Sequence, residues 1–336
     1  MDSSVVRVLS YIIETADLTR KFGTLVAVDQ LNIKVKHGEV FSLLGPNGAG
    51  KTTTISMLCT IKKPTTGTAT VNGFDIVKQP GQVRKSIGIV FQDPSVDDRL
   101  TGRENMEMHA NLYGVPKDVQ RKRIPELLSL VELEDRADSL LKTYSGGMRR
   151  RLEIARGLLH YPHILFLDEP TIGLDPQTRE VIWTYIKALI KEEEITIILT
   201  THYMEEADQM SNRIAIMDFG KIVALDTPEN LKGQLGQESI SMMVSDAEAL
   251  SQVLQGAGLV SGVILSGNEL KVHVQSASEA LPRIVEAAAN AGFRINSITL
   301  HEPNLEDVFI HYTGRKIREE SRDAANETVR RRQHIK

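Results

Sequence analysis

Residues 45–52 match the pattern G-x-x-x-x-G-K-[ST] and read Gly45-Pro46-Asn47-Gly48-Ala49-Gly50-Lys51-Thr52. The stretch follows the apolar run Val40–Leu44 and precedes a segment that reads as a helix. Small residues let such a loop curl until its backbone N–H groups face phosphate oxygens, and the next helix N-terminus adds partial positive charge. Lys51 would then neutralise the β- and γ-phosphates of a nucleotide, and the Thr52 hydroxyl would hold Mg²⁺. An ordinary glycine-rich turn is the alternative interpretation.

Three further apolar runs also end at polar residues. They are Ile87–Phe91 before Gln92 and Asp93, Ile164–Leu167 before Asp168 and Glu169, and Ile195–Leu199 shortly before His202. Continuous apolar runs between helical stretches predict strands buried on both faces of a parallel sheet. Ligands of such sheets bind beyond the carboxyl ends of the strands. The fold class predicted for this part is therefore α/β.

The apolar run that ends at Asp168 and Glu169 indicates which kind of nucleotide chemistry the chain performs. An apolar strand that ends in a carboxylate is the Walker B arrangement, in which Asp168 would hold Mg²⁺ through water. Glu169, one residue later, is placed to polarise an attacking water as general base. A surface acidic pair at a strand end is the alternative.

Ser145-Gly146-Gly147 precedes a helix and would form a second anion site lined by N–H groups. One nucleotide cannot use two such sites within a single domain if the loop 45–52 already wraps its phosphates. We therefore expect the second site to cap ATP bound to another subunit, so that a twofold dimer buries two ATP molecules.

The chain is predicted to contain two domains and a tail. Residues 1–235 carry the apolar strands, with a helical subdomain over about 101–159, where Met148, Leu152 and Ala155 recur at helical spacing. Residues 236–314 read as β-α-β-β-α-β, the order of a small ferredoxin-like α+β domain. Residues 315–336 form a charged tail, expected to be a frayed helix or disordered.

Composition adds constraints on location and partners. The net charge of −4 gives no reason to expect nucleic acid as a partner, and the single cysteine, Cys59, excludes an internal disulfide. No apolar run approaches the length of a membrane-spanning helix, and the first residues lack the features of a signal peptide. We therefore expect a soluble, intracellular chain.

Taken together, these motifs resemble those of ABC-type ATPases along about the first 235 residues. By that resemblance residues 45–52 are the Walker A loop, Ser145–Gly147 the signature, Asp168 and Glu169 Walker B, and ATP and Mg²⁺ the cofactors. The resemblance makes Gln92 the Q-loop residue that links the metal site to the helical subdomain, and His202 the switch histidine. Asp175 becomes the D-loop carboxylate, Phe22 the aromatic that stacks on adenine, and Thr53 part of the nucleotide site. Tyr144 replaces the usual leucine before the signature, and the D-loop reads Ile172-Gly173-Leu174-Asp175 where Ser-Ala-Leu-Asp is commoner; both changes spare the functional groups.

Nearly the whole chain resembles the daunorubicin-resistance type of drug-export ATPase, most clearly at residues 304–315. The resemblance implies an ATPase subunit that closes as a dimer, a homodimer by expectation, and powers a separate integral-membrane permease. The implied place is the cytoplasmic face of the cell membrane, and the implied cargo is a drug or lipophilic compound.

Other interpretations have less support. A soluble ABC ATPase of ribosomes or DNA usually has two cassettes or a long coiled-coil insertion, and a non-enzymatic subunit would not need intact Lys51, Asp168, Glu169 and His202. An RNA-binding role for the second domain would need aromatic residues that stack on bases, and its strands lack them; we expect an accessory role, regulatory or dimer-stabilising. His273, His301 and His311 are too scattered to predict a metal site, and the run Arg149–Arg151 reads as a partner contact or a solvated helix face.

Overall fold

The computed structural model describes residues 11–193, 195–235, 238–267, 269–301 and 303–314. The predicted tail lies outside these residues. The chain divides into two compact units, of which the first ends at Thr227 and the second begins at Pro228. This division falls a few residues before the predicted boundary at 235, because the short helix that starts at Pro228 packs within the second unit.

The strands and helices follow in chain order. The strands are β1 (Ile13–Phe22), β2 (Leu25–Leu31), β3 (Lys34–Val35), β4 (Val40–Leu44), β5 (Thr66–Val71), β6 (Phe74–Asp75), β7 (Ile87–Val90), β8 (Ile164–Asp168), β9 (Thr196–Thr201), β10 (Arg213–Asp218), β11 (Lys221–Asp226), β12 (Glu238–Val244), β13 (Gly262–Ser266), β14 (Glu269–Val274) and β15 (Ile295–His301). The helices are α1 (Lys51–Leu58), α2 (Pro80–Ser86), α3 (Gly102–Leu112), α4 (Lys117–Leu130), α5 (Gly146–Gly157), α6 (Pro176–Glu193), α7 (Met204–Met210), α8 (Pro228–Gly233), α9 (Ala247–Gly256), α10 (Ala277–Asn290) and α11 (Leu305–Thr313).

A six-stranded sheet in the order β11-β10-β4-β9-β8-β7 forms the centre of the first unit. All its neighbouring strands pair in parallel except β10 and β11. Every residue of β4, β8 and β9 is buried. The prediction of parallel strands covered on both faces is confirmed.

The two faces of this sheet belong to different hydrophobic cores. Along β8, Ile164 and Phe166 join the core shared with β1, β2 and α1, whereas Leu165 and Leu167 join the core beneath α3 to α6. This alternation follows from the two-residue period of a strand. It places α3 to α6 on one face of the sheet, and α1 with a second, antiparallel sheet of order β2-β1-β5-β6 on the other.

Helices α3, α4 and α5 pack on one another within the segment read as a helical subdomain. Helix α3 begins at a capping box, in which the Thr101 side chain accepts from the Glu104 N–H and the Glu104 carboxylate accepts from the Thr101 N–H. Buried residues at helical spacing, such as Ile124 and Leu128 on α4 and Leu152 and Ala155 on α5, face the common core. Helix α5 thereby lies against β7 at the edge of the sheet.

The second unit contains a four-stranded antiparallel sheet with the order β13-β14-β12-β15, covered on one face by α9 and α10. Its element sequence β12-α9-β13-β14-α10-β15 is the ferredoxin-like order expected from the sequence. Strands β13 and β14 pair from Ser266 opposite Glu269, which confirms the predicted hairpin. Helices α8 and α11 of the second unit pack together.

Candidate functional site

The loop between β4 and α1 presents its backbone to a cleft. Gly48 and Gly50 adopt positive φ angles of 83° and 105°, which other residues rarely adopt. Helix α1 begins at Lys51 directly after Gly50 and has no acidic residue in its first turn. The first N–H groups of the helix, with its positive dipole end, therefore face the cleft without a competing carboxylate from the helix itself.

Gly45, the first residue of the loop, leaves no room for a side chain. A methyl group built on it would lie 2.4 Å from the backbone carbonyl oxygen of Met217 at the end of β10. The loop can therefore reach its position above the sheet only if this residue lacks a Cβ atom.

Gly45→Ala is expected to lower the free energy of unfolding by about 1–3 kcal/mol, because either the loop or β10 must shift. ATP binding should weaken with it. Urea denaturation and titration with a fluorescent ATP analogue measure the two effects. Gly81→Ala in α2 is the matched control: a methyl group there meets nothing within 4 Å, and we expect it to be neutral or to stabilise by up to about 1 kcal/mol. Equal stability of the two variants would contradict the steric argument.

The side chain of Lys51 turns back under the loop and is only 5% exposed. Its ammonium group donates to the carbonyl oxygens of Gly45, at 2.7 Å, and of Pro46, at 3.3 Å. It also lies 3.1 Å from Oε1 of Glu169, whose side chain is equally buried. The ammonium group is thus held beneath the loop that is predicted to bind phosphate.

Asp168, the last residue of β8, lies beside Thr52. Its Oδ1 accepts from the Thr200 hydroxyl at 2.5 Å and from the Thr52 hydroxyl at 3.1 Å. Burial raises the pKa of the Asp168 carboxyl, although these two hydrogen bonds act in the opposite direction. A carboxylate and a hydroxyl oxygen at the edge of a phosphate-binding cleft fit Mg²⁺, which is typically held by one or two carboxylates together with substrate phosphates.

Glu169 is held by two basic groups, one at each carboxylate oxygen. Oε1 faces Lys51, and Oε2 lies 2.7 Å from Nδ1 of His202. Burial acts to raise the pKa of Glu169, but the His202 hydrogen bond and the Lys51 charge outweigh it and hold that pKa below its ordinary value. Its backbone adopts a left-handed φ of 49°. The lowered pKa favours the ionised form of the Glu169 carboxylate at neutral pH.

A cleft of about 410 Å³ joins several of these groups. It is lined by Pro46, Asn47, Gly48, Ala49, Gly50, Lys51, Thr52, Thr53, Gln92 and Glu169. The sequence reasoning thus identified residues that the fold does bring together. Thr200, which holds Asp168, was missed; its position at the end of β9, beside β8, is the signal that would have found it.

The signature residues and Asp175 do not line this cleft but lie next to each other. Ser145 caps α5 by accepting from the Met148 N–H, and a methyl group built on Gly147 would lie 2.4 Å from the side chain of Thr178. Thr178 in turn donates through its backbone N–H and its hydroxyl to the Asp175 carboxylate. The two motifs therefore form one surface where α5 and α6 begin.

Two of the remaining sequence features lie outside the cleft as well. Phe22 is 39% exposed, and the Arg20 guanidinium lies 4.6 Å and the Lys62 ammonium 5.8 Å from its ring centre. Tyr144, the departure before the signature, is buried, and its hydroxyl donates to the Arg136 carbonyl oxygen at 2.6 Å. That hydrogen bond anchors the segment leading to Ser145.

A phosphate-binding loop, a buried lysine and a carboxylate pair at the ends of parallel strands define a P-loop nucleoside triphosphatase. Comparison with known proteins gives the family. Residues 28–172 match the ABC transporter family, and residues 227–313 match the family described as ATP-binding protein DrrA1-3-like, C-terminal domain. The chain belongs to the ABC transporter ATP-binding proteins of the DrrA type, and it is the ATP-hydrolysing subunit of such a transporter.

Relatives match over nearly their whole length. The daunorubicin/doxorubicin resistance ATP-binding protein DrrA of Streptomyces peucetius is 38% identical, covering 94% of this chain and 96% of that protein. The linearmycin resistance ATP-binding protein LnrL of Bacillus subtilis is 35% identical over 91% of this chain and 100% of that protein. The Nod factor export ATP-binding protein I of Ralstonia nicotianae is 37% identical over 92% and 95%.

Solved structures resemble about two thirds to three quarters of the chain. CbiO1 of Clostridium perfringens, part of the ABC transporter complex cbiONQ, has a TM-score of 0.63 and 28% identity, covering 74% of this chain and 96% of that one. The ATP-binding cassette MJ0796, in a dimeric post-hydrolysis state with ADP and Pi, has a TM-score of 0.58 and 29% identity over 64% and 98%. Both likenesses confirm the ABC ATPase fold.

Proposed function

We propose that two copies of this chain close on two ATP molecules and that closure drives a membrane permease toward export. One observation carries the proposal: the cleft contains the Walker A loop, Gln92 and Glu169, whereas Ser145–Gly147 and Asp175 lie on a separate surface of the same subunit. A second copy, related by a twofold axis, can present that surface to the ATP held in the cleft. The dimeric state of the neighbour MJ0796 supports this arrangement.

In the cleft, Lys51 and the backbone N–H groups of residues 47–53 would bind the β- and γ-phosphates. Thr52, Asp168 and Gln92 would hold Mg²⁺, which neutralises charge on the phosphates when bound. Phe22 would stack on adenine through its exposed ring. These roles follow the family motifs and the positions of the side chains.

Glu169 would act as the general base once Lys51 has loosened its ion pair with the carboxylate. In the described conformation Lys51 lies 3.1 Å from Glu169, so γ-phosphate binding gives Lys51 a second anion and loosens its hold on the carboxylate. His202 keeps its hydrogen bond to Oε2 and orients the carboxylate toward water. Hydrolysis then breaks the bond between the β- and γ-phosphates, and release of the phosphate removes the anionic group that both subunits would contact.

The cargo is proposed to be a drug or another lipophilic compound, because the relatives are named for daunorubicin, linearmycin and Nod factor. These names also favour transport over the ribosomal, DNA and non-enzymatic alternatives. Among the described residues, no helix combines the length and apolar character needed to cross a bilayer. We propose that the chain binds an integral-membrane permease at the cytoplasmic face of the cell membrane.

Daunorubicin accumulation tests the cargo assignment in cells that contain the chain and its own permease. Cells that express the wild-type chain should accumulate less daunorubicin than cells that express the Glu169→Gln variant. Equal accumulation would rule out daunorubicin as cargo and leave the ATPase mechanism intact.

Ser145→Ala is expected to weaken ATP-dependent dimerisation by about tenfold, because one hydroxyl contact to the partner's phosphates is worth about 1–1.5 kcal/mol. Light scattering in a Glu169→Gln background, where dimers persist, measures the dimer constant. Ser129→Ala at the end of α4 is the control. An unchanged constant for Ser145→Ala would contradict the capping role.

A further inference from the structure

Arg150 differs from both of its arginine neighbours. The sequence allowed the run Arg149–Arg151 to be a partner contact or a solvated helix face, but the side chain of Arg150 is only 8% exposed. Its guanidinium donates to three consecutive backbone carbonyl oxygens: those of Asp168 at 3.2 Å, Glu169 at 3.0 Å and Pro170 at 2.6 Å. A single side chain of α5 therefore holds the turn that carries the catalytic carboxylate.

The same guanidinium reaches the segment that contains Gln92. It donates to the Phe91 carbonyl oxygen at 2.5 Å and to Oε2 of Glu153, one helical turn along α5, at 3.2 Å. Oε1 of Glu153 accepts from the Ser95 N–H at 2.7 Å. The Arg150–Glu153 pair thus fixes the chain on both sides of Gln92.

These hydrogen bonds constrain the backbone at Glu169 and thereby the orientation of its side chain. Its backbone φ of 49° is a conformation that residues other than glycine rarely adopt and that the surroundings must hold in place. Buried carbonyl oxygens require donors, and hydrogen bonds from a charged group are stronger than neutral ones. Without Arg150, the turn at residues 168–170 loses the donors that hold three of its carbonyl groups.

We propose that Arg150, braced by Glu153, is a positioning residue that couples the signature helix to the catalytic base of the same subunit. Helix α5 begins beside Ser145, which under the proposed function contacts the nucleotide of the partner subunit. Movement of α5 on closure then reaches Glu169 and the Gln92 segment through this guanidinium. The coupling between the two ATP sites rests on the proposed dimer; the positioning of Glu169 does not.

Arg150→Gln tests the positioning role in the full-length chain. We expect kcat for ATP hydrolysis to fall by about 10- to 100-fold, the scale of an ångström-sized misplacement of a catalytic group, with KM for ATP within about twofold of wild type. Arg150→Lys should give an intermediate kcat, because an ammonium group cannot span the separate carbonyl oxygens that the planar guanidinium reaches.

Arg151→Gln is the matched control. Arg151 is on the same helix and donates to the Val131 carbonyl oxygen at 2.9 Å and to the Tyr185 hydroxyl, away from the turn at residues 168–170. The Arg151→Gln substitution should lower the melting temperature without lowering kcat. If Arg150→Gln does not fold because Glu153 is left buried without its partner, the double variant Arg150→Gln/Glu153→Gln removes that charge and takes its place.

Two outcomes would overturn the positioning role: a wild-type kcat in the Arg150 variant, or an equal loss of kcat in Arg151→Gln. Light scattering of Arg150→Gln in the Glu169→Gln background shows separately whether Arg150 is needed for dimer formation. ATP-dependent dimers should still form, because the Ser145 surface is intact. If the Glu169→Gln parent forms no dimers, closure of two isolated copies on ATP fails and another ATPase subunit or the permease is needed, while the kcat comparison still decides whether Arg150 positions Glu169.

Discussion

Glu169→Gln is expected to lower kcat for ATP hydrolysis by about 10²–10⁴-fold, the usual contribution of a general base. The amide keeps the shape of the side chain but cannot accept a proton from water. ATP binding should be retained, because the phosphate-binding groups of residues 45–53 are unchanged. ATP-loaded dimers should therefore accumulate, since the step that releases them is blocked.

Phosphate release and light scattering with and without ATP and Mg²⁺ measure these effects. Glu205→Gln is a suitable control, because Glu205 is an exposed glutamate on α7, close in sequence to His202. Turnover at the wild-type rate in Glu169→Gln would show that another group is the base. A slow variant that stays monomeric would show that a different ATPase subunit or the permease is needed for closure.

Lys51→Met is expected to reduce kcat by about 10²–10³-fold, as loss of a group that stabilises developing charge usually does, and to weaken ATP binding as well. Methionine fills the buried space of the lysine stem but offers no charge to the phosphates. Glu169 also loses one of its two basic partners, so the melting temperature of the nucleotide-free chain should fall.

Titration with a fluorescent ATP analogue, phosphate release and thermal unfolding separate these three effects. Lys63→Met, at an exposed lysine soon after α1, controls for loss of a positive charge near the loop. An ATP affinity equal to that of the wild type in Lys51→Met would refute the phosphate-binding role.

The parallel sheet could be predicted because its strands are continuously apolar and each ends at a polar group. The second sheet was not predicted. Strand β1 alternates buried and exposed residues irregularly and shifts register against both β2 and β5. Strand β5 alternates threonine with Gly67, Ala69 and Val71, and these mostly small residues give only a weak apolar signal. Packing on the core that they cover, not the local sequence pattern, determines where such strands form.

The parts of the site that are formed by residues adjacent in the sequence could be predicted. Loop 45–52 and the pair Asp168–Glu169 are local motifs, and the cleft unites the loop with Glu169. The burial of Arg150 was not predictable, because its partners at Phe91 and residues 168–170 are distant along the chain. The sequence around Arg150 resembles a solvent-exposed face of a helix. It cannot show that the fold brings backbone carbonyl groups of other segments to this side chain.

The ion pair between Lys51 and Glu169 also bears on which anions the resting subunit can bind. Because the ammonium charge is already balanced at 3.1 Å by a buried carboxylate, a small anion such as orthophosphate must compete with an internal carboxylate for it. In the proposed site, a nucleoside triphosphate would bring several anionic oxygens and contact the loop amides at the same time, so it would displace the carboxylate more readily. The buried glutamate would thus compete with anions for Lys51 and favour polyphosphate ligands over free phosphate.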